Sequence, residues 1–292
     1  MARHKGEYRH AGTDLKISRD PDGDVETTVN QQSYVDLLTV EIPVDRIRQH
    51  QAVMTPSEIS ACRTALGALQ WLAVQTQPLL SARCNLLLTE LPTAFEIQQL
   101  ACEVRKQPSV LKFFRLKGAK NWNDLVFITM ADQANANRPD GSSTGGMVSL
   151  LAGPEARTGK VCPMLLLGWR AWRLHRKAID SNTLRFQCLT QLDHNFRVRL
   201  LWGELHGGGF FRTPQDDQVV GPEKQVRAVR GVLCTDSKGG YDAVQVNESP
   251  LLGLSNLRSA LQAMQLRENM MRTGCLLRWL ASDYDLLDDS MT

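Results

Sequence analysis

The sequence of 292 residues lacks long hydrophobic runs and paired-cysteine motifs. Its longest apolar stretches, such as Met164–Leu167, fall far short of the ~20 residues that cross a bilayer, so we expect no membrane-spanning helix. The first residues are polar and contain no apolar core, so we expect no secretory signal. None of the seven cysteines belongs to a C-x-x-C pair, which argues against a structural zinc site and a disulfide framework. Together these absences predict a protein of a reducing intracellular compartment, the cytoplasm or the nucleus.

An excess of charge and a phosphate-binding loop are also missing. Lys and Arg number 34 against 31 Asp and Glu, so the net charge of +3 gives no argument for nucleic acid by itself. The glycine run Gly207–Gly209 is not followed by Lys and Ser or Thr, and it predicts the end of a helix instead. The remaining composition, 42% hydrophobic, is that of an ordinary globular protein with room for about two domains.

The first 117 residues carry no acidic cluster and no nucleophile motif. Residues 1–32 are polar and show no periodicity, which predicts a poorly ordered arm. Residues 33–117 predict a mainly helical segment. Its clearest helix begins at Thr55, where Pro56 suits the first turn and Glu58 stands at the capping-box position. Further helices are predicted at about 80–88 and 94–105.

The pattern changes near Gly118, and residues 118–292 predict a mixed α/β domain. Strands are expected at about 125–131, 147–151, 162–169, 229–235 and 275–280, and helices at 181–205, 241–246 and 255–272. Two of these apolar strands run directly into an acid, Asp132 and Asp236. If two such strand ends lie side by side, their carboxylates form a site for a hard divalent cation.

Several motifs, in order, resemble a known family. Residues 66–78 resemble the segment that follows the polymerase palm in copia-type LTR retrotransposon polyproteins. The later motifs resemble the RNase H domain of the same polyproteins, in the same order: Met130-Ala131-Asp132, Ser142–Gly146, Trp169-Arg170 with Arg176-Lys177-Ala178, Thr235–Gly239, and Tyr284–Asp288. The resemblance covers residues 33–292 and implies an RNase H-like mixed sheet with flanking helices, preceded by a helical remnant of the reverse transcriptase. The paired aspartates of a polymerase palm are absent from the sequence, so no polymerase activity is expected.

The resemblance also implies an activity and a set of ligands. RNase H enzymes hydrolyse the RNA strand of RNA–DNA hybrids with two Mg²⁺ or Mn²⁺ ions, which activate water and stabilise the leaving oxygen. The family uses the acids Asp, Glu, Asp and Asp as ligands. By resemblance Asp132 is the first, Asp236 the third and Asp288 the fourth. Considered alone, Asp132 is equally a strand-end acid that starts a turn, and Asp288 equally belongs to a solvated acidic tail.

The second acid of the family pattern is missing. The helix that should supply it reads Ser181-Asn182-Thr183-Leu184-Arg185-Phe186-Gln187, with Arg185 at the position of the glutamate, and residues 181–192 contain no Asp or Glu. A unit charge pair at 4 Å is worth on the order of 4 kcal/mol at an effective dielectric of 20, and the replacement changes the charge by two units. The missing acidic ligand therefore predicts that the rate of hydrolysis is reduced by several powers of ten.

We hypothesise that this departure reflects a local frameshift or a gene-model error. Codons for Asp-Ala-Glu-Val, read with the first nucleotide lost, encode Thr-Leu-Arg-Phe, which are residues 183–186. We therefore predict that related genomic copies with an intact frame encode the glutamate.

Basic residues surround the predicted site. By resemblance, those expected to contact nucleic acid are Arg170, Arg173, Arg176, Lys177 and Lys238. Cations interleaved with aromatic side chains suit a phosphate backbone, and hybrids are recognised by shape and 2′-hydroxyls. A solvated basic face explains the same residues equally well. Two functions therefore stay open: an impaired hybrid nuclease, and a non-catalytic hybrid-binding module or inert retrotransposon remnant.

Overall fold

The computed structural model describes residues 6–40, 54–88, 93–107, 109–121, 124–174, 230–245 and 257–281. The chain divides into two compact units. The first contains Met1–Arg115 with Trp169–Trp172, and the second contains Leu116–Gly168 with Arg173–Thr292. No helix of the described residues is long and apolar enough to cross a membrane.

The first unit begins with an antiparallel sheet. Its strands are β1 (Glu7–His10), β2 (Thr13–Arg19), β3 (Val25–Asn30) and β4 (Leu111–Phe113), paired in that order. The β1–β2 turn contains Gly12 at φ +76°, and the β2–β3 turn contains Gly23 at φ +84°, a conformation that glycine adopts without steric cost. The Asp20 carboxylate closes the second turn by accepting from the backbone N–H groups of Asp22 and Asp24 at 3.0 and 2.8 Å.

These strands correct the expectation of a poorly ordered arm over residues 1–32. Leu15 and Ile17 alternate with Lys16 and Ser18 along β2. Across the sheet, Leu15 pairs with Val29 and Ile17 pairs with Thr27. The strands are mostly exposed or half-buried, so their order comes from backbone pairing more than from burial. The alternation and the Asp-Pro-Asp-Gly turn were present in the sequence as signals for a hairpin.

The helices of the first unit surround a hydrophobic core. They are α1 (Gln32–Asp36), α2 (Pro56–Gln75), α3 (Leu80–Leu87) and α4 (Ala94–Lys106). Helix α2 begins as predicted: the Thr55 N–H donates to the Glu58 carboxylate at 2.8 Å, and the Glu58 N–H donates to the Thr55 hydroxyl at 3.3 Å. The largest fully buried side chains in this core are Leu69, Leu72, Ile97 and Leu100.

The second unit contains a five-stranded mixed sheet. Its strands are β5 (Val126–Ala134), β6 (Ser143–Ala152), β7 (Met164–Leu174), β8 (Arg230–Thr235) and β9 (Leu276–Trp279), in the order β7-β6-β5-β8-β9. Strand β5 runs antiparallel to β6 and parallel to β8, and β8 runs parallel to β9. Helices α5 (Lys238–Gln245) and α6 (Leu257–Thr273) lie between β8 and β9 in the chain.

This arrangement confirms the predicted mixed α/β class, with a mixed sheet and flanking helices. Strands β5 and β6 are buried along nearly their whole length, as expected for central strands covered on both faces. The predicted strands overlap the observed ones, with ends that differ by at most five residues: β6 begins four residues before the predicted start and β7 ends five residues past the predicted end, while β5 continues two residues past Asp132. The predicted helix at 181–205 lies outside the described residues.

Candidate metal centre

The register of the two central parallel strands brings Asp132 and Asp236 to neighbouring positions. The last parallel pair of β5 and β8 is Met130 with Cys234, and each aspartate stands two residues further along its chain. Residues two apart on a strand project to the same face, and neighbouring strands lie about 4.8 Å apart. Asp236 directly follows Thr235, the last residue of β8, so the register brings the backbone of both aspartates to the carboxyl end of β8.

Asp132 differs from the prediction in one respect. It lies within β5 instead of at the rim of the sheet, and only 5% of its surface is exposed. Its cross-strand partner on β6 is Gly146, which has no side chain, so this position on β6 places no side chain beside the Asp132 carboxylate. A buried carboxylate requires hydrogen bonds or a positive charge nearby, and this requirement makes Asp132 the more constrained of the two acids.

The start of helix α5 fixes the backbone after Asp236. Ser237 caps the helix: its hydroxyl accepts from the Gly240 N–H at 3.1 Å, and its carbonyl accepts from the Tyr241 N–H at 2.9 Å. On the other side, the Trp279 indole N–H donates to the Asp236 carbonyl at 2.9 Å. Asp236 is thus held between a strand end, a helix start and the neighbouring strand β9.

A buried arginine contacts the sheet face that carries Asp132. Arg138 is 4% exposed, and its Nε donates to the Thr144 hydroxyl at 3.0 Å. Thr144 pairs with Ala134 across β5 and β6, two residues from Asp132, so it shares the face of that aspartate. Sequence reasoning missed Arg138 because only the turn between β5 and β6 brings it over the sheet.

The turn that carries Arg138 is closed by polar contacts. The Asp140 carboxylate accepts from the Ser142 hydroxyl at 2.6 Å and ion-pairs with Arg173. The Ser142 hydroxyl and N–H, followed by the Arg173 charge, hold the pKa of Asp140 below its usual value. Arg173, predicted to bind nucleic acid, is therefore engaged within the protein.

The other predicted basic residues are in different situations. Arg170 lies 5.8 Å from the centre of the Trp172 ring, a cation–π distance. Lys238 ion-pairs with Asp242 on the first turns of α5. Arg176 and Lys177 lie outside the described residues, as do Asp288 and Arg185.

The described acids fit part of a divalent-cation site. Within the described residues, no group of three or more His, Cys, Asp and Glu side chains could hold a metal. Two carboxylates supply oxygen ligands of the kind that Mg²⁺ and Mn²⁺ prefer, and Mg²⁺ keeps several waters. The donor chemistry of Asp132 and Asp236 therefore suits such an ion, and the remaining predicted ligand belongs to the undescribed end of the chain.

Comparison with solved structures finds foamy viral proteins at low similarity. The prototype foamy virus protease-reverse transcriptase is 11% identical at a TM-score of 0.30, and the match covers 67% of this chain and 25% of that one. The foamy viral protease-reverse transcriptase in complex with an RNA/DNA hybrid is 7% identical at a TM-score of 0.30, with coverage of 98% and 51%. The chain thus spans about half or less of these proteins. Similarity at this level supports no functional conclusion.

No family model matches this chain. No curated protein matches it either.

Proposed function

We propose that this chain is a retroelement RNase H-like protein of the copia type that binds RNA–DNA hybrids and cleaves their RNA strand poorly. The observation that carries the proposal is the register of β5 and β8. It brings Asp132 and Asp236 to neighbouring positions at the carboxyl end of β8 in a mixed sheet. The motif order of the sequence supports the same assignment.

Asp132, Asp236 and Asp288 would hold two Mg²⁺ or Mn²⁺ ions. When bound, such ions activate a water molecule and stabilise the leaving oxygen of the scissile phosphate. Asp132 contributes a buried carboxylate whose strand is paired on both sides, so its position is fixed before any ligand binds. The capped start of α5 likewise fixes the backbone next to Asp236 before any ligand binds.

Arg185 explains why hydrolysis is impaired in this proposal. It replaces the acidic ligand that the family pattern requires, and it brings a positive charge in place of a negative one. A loss of about 4 kcal/mol in ion binding or in the barrier lowers the rate by roughly a factor of a thousand.

A cleavage and binding assay tests the proposal. The whole chain is incubated with an RNA–DNA hybrid in Mg²⁺ and separately in Mn²⁺, with duplex DNA of the same sequence as the control. We expect binding of the hybrid and cleavage far slower than one turnover per second. Rapid multiple-turnover cleavage would contradict impairment, and failure to bind the hybrid would contradict the function as a whole.

A second candidate function is a module that binds hybrids without cleaving them, or an inert remnant. The pairing of the described basic residues favours it: Arg173 is bound to Asp140 and Lys238 to Asp242. Cations that are already paired attract phosphates less strongly. Hybrid binding that does not change when the metal is chelated would support this alternative.

A further inference from the structure

Asp132 and Arg138 are the only buried charged residues in the part of the chain that the structure describes. They are 5% and 4% exposed, and every other described Asp, Glu, Lys and Arg is at least partly open to water. Burying a charge costs a large amount of free energy unless an opposite charge or hydrogen bonds compensate it. Two buried charges of opposite sign, six residues apart in the chain, therefore suggest that each compensates the other.

The β5–β6 hairpin brings the two side chains to the same face of the sheet. Thr144 pairs with Ala134, two residues along β5 from Asp132, so Asp132 and Thr144 are diagonal neighbours on one face. Such neighbours lie about 7 to 8 Å apart, within reach of a long side chain. The Arg138 Nε donates to the Thr144 hydroxyl at 3.0 Å. The direct partner of Asp132 is Gly146, which places no side chain between the guanidinium and the carboxylate.

The backbone of the turn between β5 and β6 fixes Arg138 in this place. Its N–H donates to the Ser142 carbonyl at 3.2 Å, and its carbonyl accepts from the Gly141 N–H at 2.8 Å. The other acid of this turn, Asp140, has a side chain that is 48% exposed and is ion-paired with an arginine of β7. Asp132 is therefore the buried acid that Arg138 can compensate.

We propose that Arg138 is an internal counter-cation of Asp132, which pairs with this carboxylate in the metal-free protein and competes with a divalent ion for it. A guanidinium is always charged, and its planar donors match a carboxylate, so it compensates a buried acid without a metal. A divalent ion at Asp132 binds against the repulsion of this cation. Arg138 thus lowers the affinity of the site for the ion. The competition rests on the proposed function, because it needs a metal ion at Asp132, whereas the pairing does not.

A double-mutant cycle of the full chain, measured by urea unfolding in EDTA, tests the pairing. The variants are Asp132→Asn, Arg138→Gln and the two combined. Each single substitution removes the partner of a buried charge, so each should lower the urea concentration at the midpoint of unfolding. The double variant removes both charges and should be more stable than the sum of the two single losses predicts. Additive losses would overturn the pairing.

Binding of Mn²⁺ tests the competition. The electron paramagnetic resonance signal of unbound Mn²⁺ gives a dissociation constant for each full-length protein. Arg138→Gln should tighten Mn²⁺ binding by on the order of 10-fold or more, because it removes a positive charge from beside the ion. Arg138→Lys keeps the charge and should not show this gain. Equal Mn²⁺ affinity in Arg138→Gln and the unmodified protein would overturn the competition.

Arg157→Gln is the matched control, since it removes the same charge at the far end of the same hairpin. Arg157 follows Ala152, the last residue of β6, by five residues, and Ala152 pairs with Val126. Val126 lies six residues from Asp132, about 20 Å along the strand at 3.3 Å per residue. We expect unchanged Mn²⁺ affinity and additive stability losses when Arg157→Gln is combined with Asp132→Asn. A coupling as large as that of Arg138 would contradict the assignment to Arg138.

The outcomes separate the counter-cation from the proposed function. If the unmodified protein binds Mn²⁺ and Arg138→Gln shows neither coupling nor a gain in affinity, the counter-cation is wrong and the metal centre stands. If coupling is found and none of the proteins binds Mn²⁺, the pairing stands, while the competition and the metal-dependent function are both wrong. Should Arg138→Gln fail to fold, the double variant decides: a folded double variant supports the pairing, and an unfolded one overturns it.

Discussion

Replacing Asp132 with Asn tests whether the two neighbouring acids bind a divalent ion. The substitution keeps the shape of a buried side chain and removes one negative charge. At 4 Å and an effective dielectric of 20, each unit of charge attraction is worth on the order of 4 kcal/mol. Ion affinity should therefore fall by on the order of 100-fold or more.

The assay is thermal unfolding with increasing Mn²⁺. An ion at 100 times its dissociation constant stabilises the folded protein by about 2.7 kcal/mol, and the variant should lose nearly all of this gain. Asp236→Asn should behave in the same way, because the register of β5 and β8 brings Asp236 next to Asp132 at the carboxyl end of β8. Asp242→Asn is the control, since this exposed acid pairs with Lys238 and should leave the Mn²⁺ response unchanged. An undiminished response in both Asp132→Asn and Asp236→Asn would refute the metal centre.

Two further predictions concern groups outside the metal centre. Ser142→Ala should raise the pKa of Asp140, because the Ser142 hydroxyl is the main cause of its lowered value. NMR titration of the Asp140 carboxyl measures this change. A carboxyl group whose pKa is lowered by folding stabilises the folded protein at pH values above its pKa in the unfolded chain, near 4. This stabilisation is lost as the pH falls through the pKa in the folded protein. The part of the stability difference that comes from Asp140 should therefore vanish in acid, and the part from the lost Arg173 Nε hydrogen bond to the Ser142 hydroxyl should remain; a difference that is the same at every pH would contradict this cause. Burial raises the pKa of Cys84 to about 12, so its thiol should resist alkylation at pH 8 until the protein unfolds, whereas half-buried Cys162 should react before Cys84. Equal labelling rates would contradict this.

Local signals in the sequence predicted the elements that depend on local contacts. The capping box of Thr55 and Glu58 marks the start of α2, and the apolar runs before Asp132 and Asp236 mark the two central parallel strands. The hairpins of residues 7–30 were missed because their polar and threonine-rich strands bury little surface, which weakens the hydrophobic period that reveals a strand.

The candidate site was only partly accessible to sequence reasoning. The two aspartates could be named, but their neighbouring positions depend on the pairing of β5 with β8, about 100 residues apart in the chain. Arg138 and Trp279 could not be assigned, because their places follow from a turn and from an edge strand that pack near the acids. Such long-range contacts leave no local pattern in the sequence.

Cleavage of an RNA–DNA hybrid by Arg185→Glu tests the central claim most directly. The substitution restores the acid that the family pattern requires, and the double variant Arg185→Glu with Asp132→Asn is its matched control. We predict a gain of metal-dependent cleavage of the RNA strand by on the order of 100-fold or more in Arg185→Glu, and its loss in the double variant. Hybrid binding with no gain of cleavage in Arg185→Glu would contradict the claim that this position limits the site.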